Sequence, residues 1–389
     1  EAALPVAVTK AIMPGVYLQD EFDLFKNFKL TAGVRLDVPI FGNTALNNPR
    51  VDTMSFYNWD FDRNTVEKYK TDALPKTQYM WSPRLGFNYD VLGNRSLQIR
   101  GGSGIFTGRP AFVWISNQVG NNGVLTGSIN LDNTNTVKYP FSNDVKENIP
   151  TNATLPATFG LALSDPNFKF PQVWRSNLAV DCKLPLNFVA TVEGIYSSNI
   201  NDMLFVNANL EGPAGNFAGP DNRPFYPGYT KSSSTDKNNA NRKNDAVTDA
   251  ILLKNSQGGK YYSATFQIER PVKNGWGLKA AYNFASAKDY MTGGSIAFSS
   301  WNDNKSVNGN NNPDLSYSDN DQRHRIIVGG SYKIKETRFT STTVSLFLQS
   351  GNQGRASLIY NGDYNGDQTN NNDLIFVPAA ATDLSYNTL

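Results

Sequence analysis

Period-two alternation, sustained over segments of about 8–13 residues, constrains what this chain can fold into more than any other feature. Phe28, Leu30, Ala32, Val34 and Leu36 alternate with Lys29, Thr31, Gly33, Arg35 and Asp37. Trp81, Pro83, Leu85, Phe87 and Tyr89 alternate with Ser82, Arg84, Gly86, Asn88 and Asp90. The pattern recurs through residues 97–105, 174–180, 188–196, 262–268, 276–284 and 324–334, with an opening segment at 15–22 and a mixed one at 339–350. Successive side chains of a strand point to opposite faces, so the spacing predicts about ten strands, each apolar on one face and polar on the other.

The connections alternate as well. Residues 23–27, 91–95, 184–187, 271–274 and 335–338 read as turns of about four or five residues, whereas 38–80, 107–171, 199–259 and 287–321 run to roughly 35–65 residues each. Short and long connections therefore fall at opposite ends of the strands. Compact water-soluble domains seldom contain several connections above about 15 residues. Outer-membrane barrels have this arrangement, with short periplasmic turns and long extracellular loops. A strand of about 11 residues tilted by about 40° rises some 28 Å, close to the apolar band of such barrels. Aromatics mark both ends of the apolar face: Phe28, Tyr89, Phe188, Trp276, Tyr332 and Phe339 beside the short turns, and Trp81, Trp174, Tyr196, Tyr262 and Phe284 toward the long loops. Two such belts on one face fit two membrane interfaces. The expected fold is all-β, an antiparallel up-and-down transmembrane β-barrel seen in part, with all of residues 1–389 belonging to one barrel domain.

Composition narrows the function. With 36 Lys+Arg against 34 Asp+Glu, the net charge of +2 gives no reason to expect a nucleic-acid partner. The single cysteine, Cys182, rules out an intrachain disulfide, and the single histidine, His324, rules out paired-His metal motifs. No run approaches 18 apolar residues, which excludes a transmembrane helix but leaves barrel strands open. A soluble sandwich or propeller also alternates, but sandwich strands are shorter and a propeller would repeat near 40 residues.

Residues 79–118 read YMWSPRLGFNYDVLGNRSLQIRGGSGIFTGRPAFVWISNQ. This stretch resembles TonB-dependent outer-membrane receptors of the Oar-like type from Bacteroidetes. Residues 15–22 (GVYLQDEF), 171–184 (PQVWRSNLAVDCKL), 321–325 (DQRHR) and 363–378 (DYNGDQTNNNDLIFVP) resemble the same family, in the same order. The resemblance implies a barrel of approximately 22 strands filled by an N-terminal plug domain, of which this chain would hold about ten strands. It implies import of a large or scarce nutrient, whether glycan, peptide or chelate, driven by the TonB complex through an N-terminal region, with a surface lipoprotein as a further partner. We read the chain as an internal piece of a longer processed protein, without the plug and the final strands, and as a transporter, not an enzyme. A surface adhesin or scaffold barrel that binds through its loops without transport is the alternative, and a soluble glycan-binding β module is a second.

The polar face would carry Arg35, Arg84, Arg100, Lys279, Arg325 and Lys333 against Asp37, Asp90, Glu193 and Glu269, either lining a solute path and holding a plug or forming cross-strand ion pairs. In the loops, residues 110–115 form an apolar run containing Phe112, Trp114 and Ile115, and Phe225, Tyr226, Tyr229, Phe298 and Trp301 form further aromatic clusters. These rings suit capture of a glycan or peptide, or else pack the loops together. His324 falls on the apolar face near the extracellular rim, where it and its neighbouring arginines can reach lipid headgroups. Asp363, Asn365 and Asp367 have the 1-3-5 spacing of calcium ligands, but Gln368 and Leu374 replace the turn glycine and the bidentate Glu of an EF-hand. No cofactor is expected beyond calcium in that loop.

Overall fold

The computed structural model describes residues 6–60, 63–109, 111–126, 141–144, 146–148, 157–334 and 339–378. The turn expected at 335–338, Pro110 and much of the 107–171 connection lie outside the described residues.

Ten strands form one antiparallel wall in strict chain order. They are β1 (Gly15–Phe25), β2 (Phe28–Asp37), β3 (Met80–Asp90), β4 (Leu97–Thr107) and β5 (Gln172–Lys183). Then follow β6 (Val189–Asn207), β7 (Lys260–Lys273), β8 (Trp276–Asp289), β9 (His324–Ile334) and β10 (Thr342–Gly351). Among the described residues its two outer strands, β1 and β10, do not pair with each other. No helix among the described residues is long and apolar enough to cross a membrane.

The register carries each face across the wall. Ile99 pairs with Val180, Val180 with Val192, Val192 with Phe266, Phe266 with Tyr282 and Tyr282 with Ile326, an unbroken apolar row over six strands. One residue along, Arg100, Ala179, Glu193, Thr265, Asn283 and Arg325 form the row on the opposite face. Leu85, Val192 and Phe266 on the apolar face are each more than half exposed. A patch of that extent belongs against hydrocarbon, not water. Asp20 interrupts the apolar row opposite Ala32, and nothing in the structure explains it beyond its Oδ1 accepting the Glu21 N–H at 2.9 Å.

Two of the short turns are tighter than the sequence suggests. β1 runs on to Phe25, so the first turn is Lys26-Asn27, with Asn27 at φ 64°. β7 runs through Pro271 across a register shift to Lys273, so the next hairpin closes on Asn274-Gly275, at φ 55° and 85°. An Asn-Gly pair with both residues in the left-handed region is the type I′ turn that matches strand twist. Arg270 fastens this end of the wall, donating to the carbonyls of Leu186, Lys273 and Trp276 and stacking 3.6 Å over the Trp276 ring. It ties two neighbouring hairpins together.

Both aromatic belts are present. On the short-turn side Phe28 lies 5.8 Å from Tyr89, and Phe188 lies 6.2 Å from Trp276. On the other side Trp174 meets Tyr196 at 5.8 Å, and Phe284 meets Tyr262 at 6.4 Å and His324 at 5.4 Å.

The long connections are less irregular than the sequence suggests. β6 passes its last pair with β7, Ser198–Lys260, and continues to Asn207. There it pairs with a strand at Val247–Ser256, which in turn pairs in parallel with Phe159–Ser164. These strands read as continuous apolar runs, as strands buried on both faces do. Leu161, Leu163, Met203, Phe205, Leu252 and Leu253 pack there with Val51, Phe56, Phe168, Phe170, Tyr226 and Trp301. The buried core of the described chain therefore lies above the wall, on the long-loop side. The wall has lipid on one face and the lumen on the other, so it needs no such core. Lys254, almost enclosed in this layer, donates to Asn58 Oδ1 at 2.8 Å and to the Trp59 carbonyl, fastening the hairpin of Phe56–Asp60 and Arg63–Glu67.

Candidate functional site

The polar face of the wall arises from the strand period alone. Arg100 on β4 donates from Nε to Asp181 Oδ2 on β5 at 2.9 Å, and its Nη1 lies 3.8 Å from Glu193 Oε1 on β6. Thr191 donates its hydroxyl to the other Asp181 oxygen at 2.7 Å, and Asn177 donates to Glu193 at 3.2 Å. Arg35 grips Asp37 on its own strand through Nε and Nη2, at 2.8 and 2.6 Å. Lys279 lies 3.5 Å from Glu269, its cross-strand partner. Arg84 lies 4.7 Å over the Phe106 ring, and the Nε of Arg325 is enclosed without a hydrogen-bond partner among the described residues. Asp90 takes no part in this network. It caps the turn after β3, accepting the Gly93 and Arg95 N–H groups. Asp181 is the member the sequence reading missed, although the same alternation places it beside Arg100.

The loop aromatics divide into two sets. Ile115, Tyr226 and Trp301 are enclosed in the core of the extracellular layer. Trp301 donates its indole N–H to Asn311 Oδ1 at 2.8 Å, and burial raises the Tyr226 phenol. These three hold the layer together. Phe112 remains exposed at the start of the helix Phe112–Gly120. Trp114 packs against the core from the same helix, and its indole donates to the Gly294 carbonyl at 3.0 Å. Phe225 is partly exposed in an aromatic group with Phe217 at 5.2 Å and Tyr229 at 5.4 Å.

Two of the cavities among the described residues border these parts. One of about 920 Å³ lies where the polar face meets the extracellular layer, between Tyr17, Gln19, Arg35, Arg84, Arg109 and Phe112. The other, about 340 Å³, lies wholly in the layer, between Phe217, Arg223, Tyr229, Tyr360, Tyr364 and Asp373. The first is large enough for a small ligand. It brings three guanidinium groups and two aromatic rings to one concave surface.

The Asp363 loop borders the smaller cavity. Asp363 accepts the N–H groups of Gly366, Asp367 and Gln368, and Asp367 accepts the N–H and hydroxyl of Thr369 and the amide of Asn372. Gln368 adopts φ 74° where a calcium loop has its glycine. Burial pushes the Asp367 carboxyl up to about 6, and the nearby Asp363 charge adds to the shift against the hydrogen bonds from Thr369 and Asn372. Among the described residues no group of three or more His, Cys, Asp or Glu side chains is placed to hold a metal ion. The loop closes its carboxylates on its own donors.

A sequential antiparallel wall with a lipid-facing apolar side, two aromatic belts, tight turns at one end and a folded layer at the other defines an outer-membrane β-barrel protein. Residues 4–350 match the family described as Outer membrane beta barrel domain, and the chain belongs to that family. It resides in the outer membrane, with the tight turns on the periplasmic side and the long connections outside. No curated protein matches the chain. Among solved structures, it is similar to the hemophore receptor HasR of Serratia marcescens, at 11% identity and a TM-score of 0.44, covering 84% of this chain and 42% of that one. It is also similar to the FrpB iron transporter of Neisseria meningitidis, at 9% identity and a TM-score of 0.42, covering 86% of this chain and 32% of that one. The alcaligin outer membrane receptor FauA of Bordetella pertussis gives 10% identity and a TM-score of 0.40, covering 89% and 38%. The chain thus spans well under half the length of each.

Proposed function

We propose that this chain forms part of the wall and the extracellular face of a TonB-dependent receptor of the Oar-like type, a transporter that takes up a large or scarce nutrient such as a glycan, peptide or chelate. The observation that carries the reading is the junction of extracellular layer and lumen. A solute held by Phe112 and its neighbours faces the cavity bordered by Arg35, Arg84 and Arg109, and from there the charged face that carries Arg100, Glu193, Lys279 and Arg325. Charge-assisted hydrogen bonds from that face suit a plug domain or an anionic solute. Phe225 and Tyr229 beside the smaller cavity offer rings for stacking. A wide barrel is a hole unless filled, so transport calls for a plug, the TonB complex and, for a large solute, a surface lipoprotein.

The test uses cells carrying the complete protein, with labelled growth substrate measured on the surface and inside, before and after the proton-motive force is collapsed. Surface binding that persists while uptake stops is the expected result. Uptake that continues without energisation contradicts TonB coupling. Binding with no uptake under any condition replaces the receptor by the adhesin, a reading favoured to this extent by the extracellular layer having a core of its own.

A further inference from the structure

The extracellular rim of β8 and β9 carries a cationic cluster on the lipid side of the wall, and its Tyr317 also borders a loop cavity of about 400 Å³ with Asp289 and Asp319. Lys288 at the end of β8 pairs with Tyr317, so both side chains share the face of Tyr282 and Phe284. Three cations converge on the Tyr317 ring: Arg355 at 4.3 Å, Arg323 at 4.8 Å and Lys288 at 4.8 Å. Arg323 also lies 5.8 Å over Phe284, the ring that meets His324 in the outer aromatic belt. Among the described residues the one counter-charge in ion-pair contact with the arginines is Asp321, fully enclosed, 3.2 Å from Arg355 Nε and 3.5 Å from Arg323 Nη2. Asp289, the next residue along β8, pairs with Ser316 and by alternation falls on the other face. The cluster keeps an excess of positive charge, with Arg355 and Tyr317 both open to the outside.

Its height decides the partner. Lys288 lies four residues beyond Phe284, about 10 Å higher on a tilted strand. That is the polar headgroup layer just outside the hydrocarbon. Arginine forks match phosphate oxygens, and arginines stacked on a ring are already oriented. We propose that Lys288, Arg323 and Arg355 bind the phosphate of an anionic lipid headgroup in the outer leaflet, an annular site that anchors the barrel laterally. The inference rests on the outer-membrane topology and is independent of what the protein transports.

The test is lipid retention. The complete protein is extracted in non-ionic detergent and washed, and headgroup phosphorus per protein is measured with heat-modifiability as the check on folding. The variant K288Q/R323Q/R355Q should retain at least about tenfold less lipid, while the lumen variant R100Q retains as much as the parent. Equal retention in the triple variant and the parent overturns the site. Should the triple variant fail to assemble, R355Q alone carries the test, with an expected loss of about fivefold, and unchanged retention overturns the proposal. Washing with excess inorganic phosphate should leave the lipid in place. Displacement by inorganic phosphate would show a bare-anion site and contradict a headgroup.

Discussion

Arg100 and Asp181 face each other across two strands of the wall, Nε to Oδ2 at 2.9 Å, on the side turned away from lipid. Glu193 stands close behind, 3.8 Å from the same guanidinium. Without Arg100 the two carboxylates lose their shared cation. R100A should lower the stability of the complete protein by about 1 kcal/mol, the range of a partly exposed cross-strand pair. D181N in that background should recover part of the loss. The check is a double-variant cycle from urea unfolding in lipid. Single effects that simply add would show the two residues to be uncoupled.

Val328 and Gly329 are neighbours on β9 with opposite surroundings. Val328 pairs with Ala280 and Leu348 on the lipid face, midway between the aromatic belts. Gly329 pairs with Lys279 on the other face, and a Cβ there meets no atom closer than 4.0 Å. V328R should cost about 2–4 kcal/mol and G329R far less. Folded yield in the outer membrane measures both. Equal penalties would contradict the assignment of faces.

The extracellular layer should unfold apart from the wall. Leu252 is fully enclosed there, and L252A should cost about 2–5 kcal/mol. Protease applied to whole cells should then cut the long connections faster, while barrel abundance and heat-modifiability hold. Loss of the barrel itself would show that the two parts fold as one.

Acid should tighten the Asp363 loop. The folded Asp367 carboxyl titrates at about 6 against an ordinary 3.8, so between those values the folded loop holds a proton that the unfolded one releases. Its contribution is fully present below about pH 4 and is lost as pH rises through about 6. Backbone amides at Gly366–Thr369 should be better protected at pH 5 than at pH 7 once each rate is divided by its intrinsic value at that pH, and D367N should be well protected at both. Slowing by added calcium at pH 7, absent in D367N, would instead make the loop a cation site.

The wall was legible in the sequence because each strand contributes a period of two that no neighbour can change, and the unequal connections set its orientation. The ends of β1 and β7 were less so, since a register shift lets Pro271 stay within a strand where the sequence reads a turn. The extracellular layer was hidden for a different reason. Ala250–Leu253 is a continuous apolar run that does not alternate, and its parallel partner at Phe159–Ser164 is more than eighty residues away. Residue type alone could not separate Tyr226 and Trp301, which are core, from Phe112 and Phe225, which remain accessible. Asp181 could have been found by extending the alternation of β5 two positions beyond Ala179.

The most direct test of the account is an accessibility scan along β7 in the complete protein, with the native Cys182 replaced by Ser and single spin-labelled cysteines placed from Tyr262 to Glu269. The labels at Tyr262, Ala264, Phe266 and Ile268 should collide with oxygen dissolved in lipid, and those at Ser263, Thr265, Gln267 and Glu269 with a water-soluble relaxant, in strict alternation. Water access at both sets, or access at neither, would contradict a wall with one face to lipid and one to the lumen.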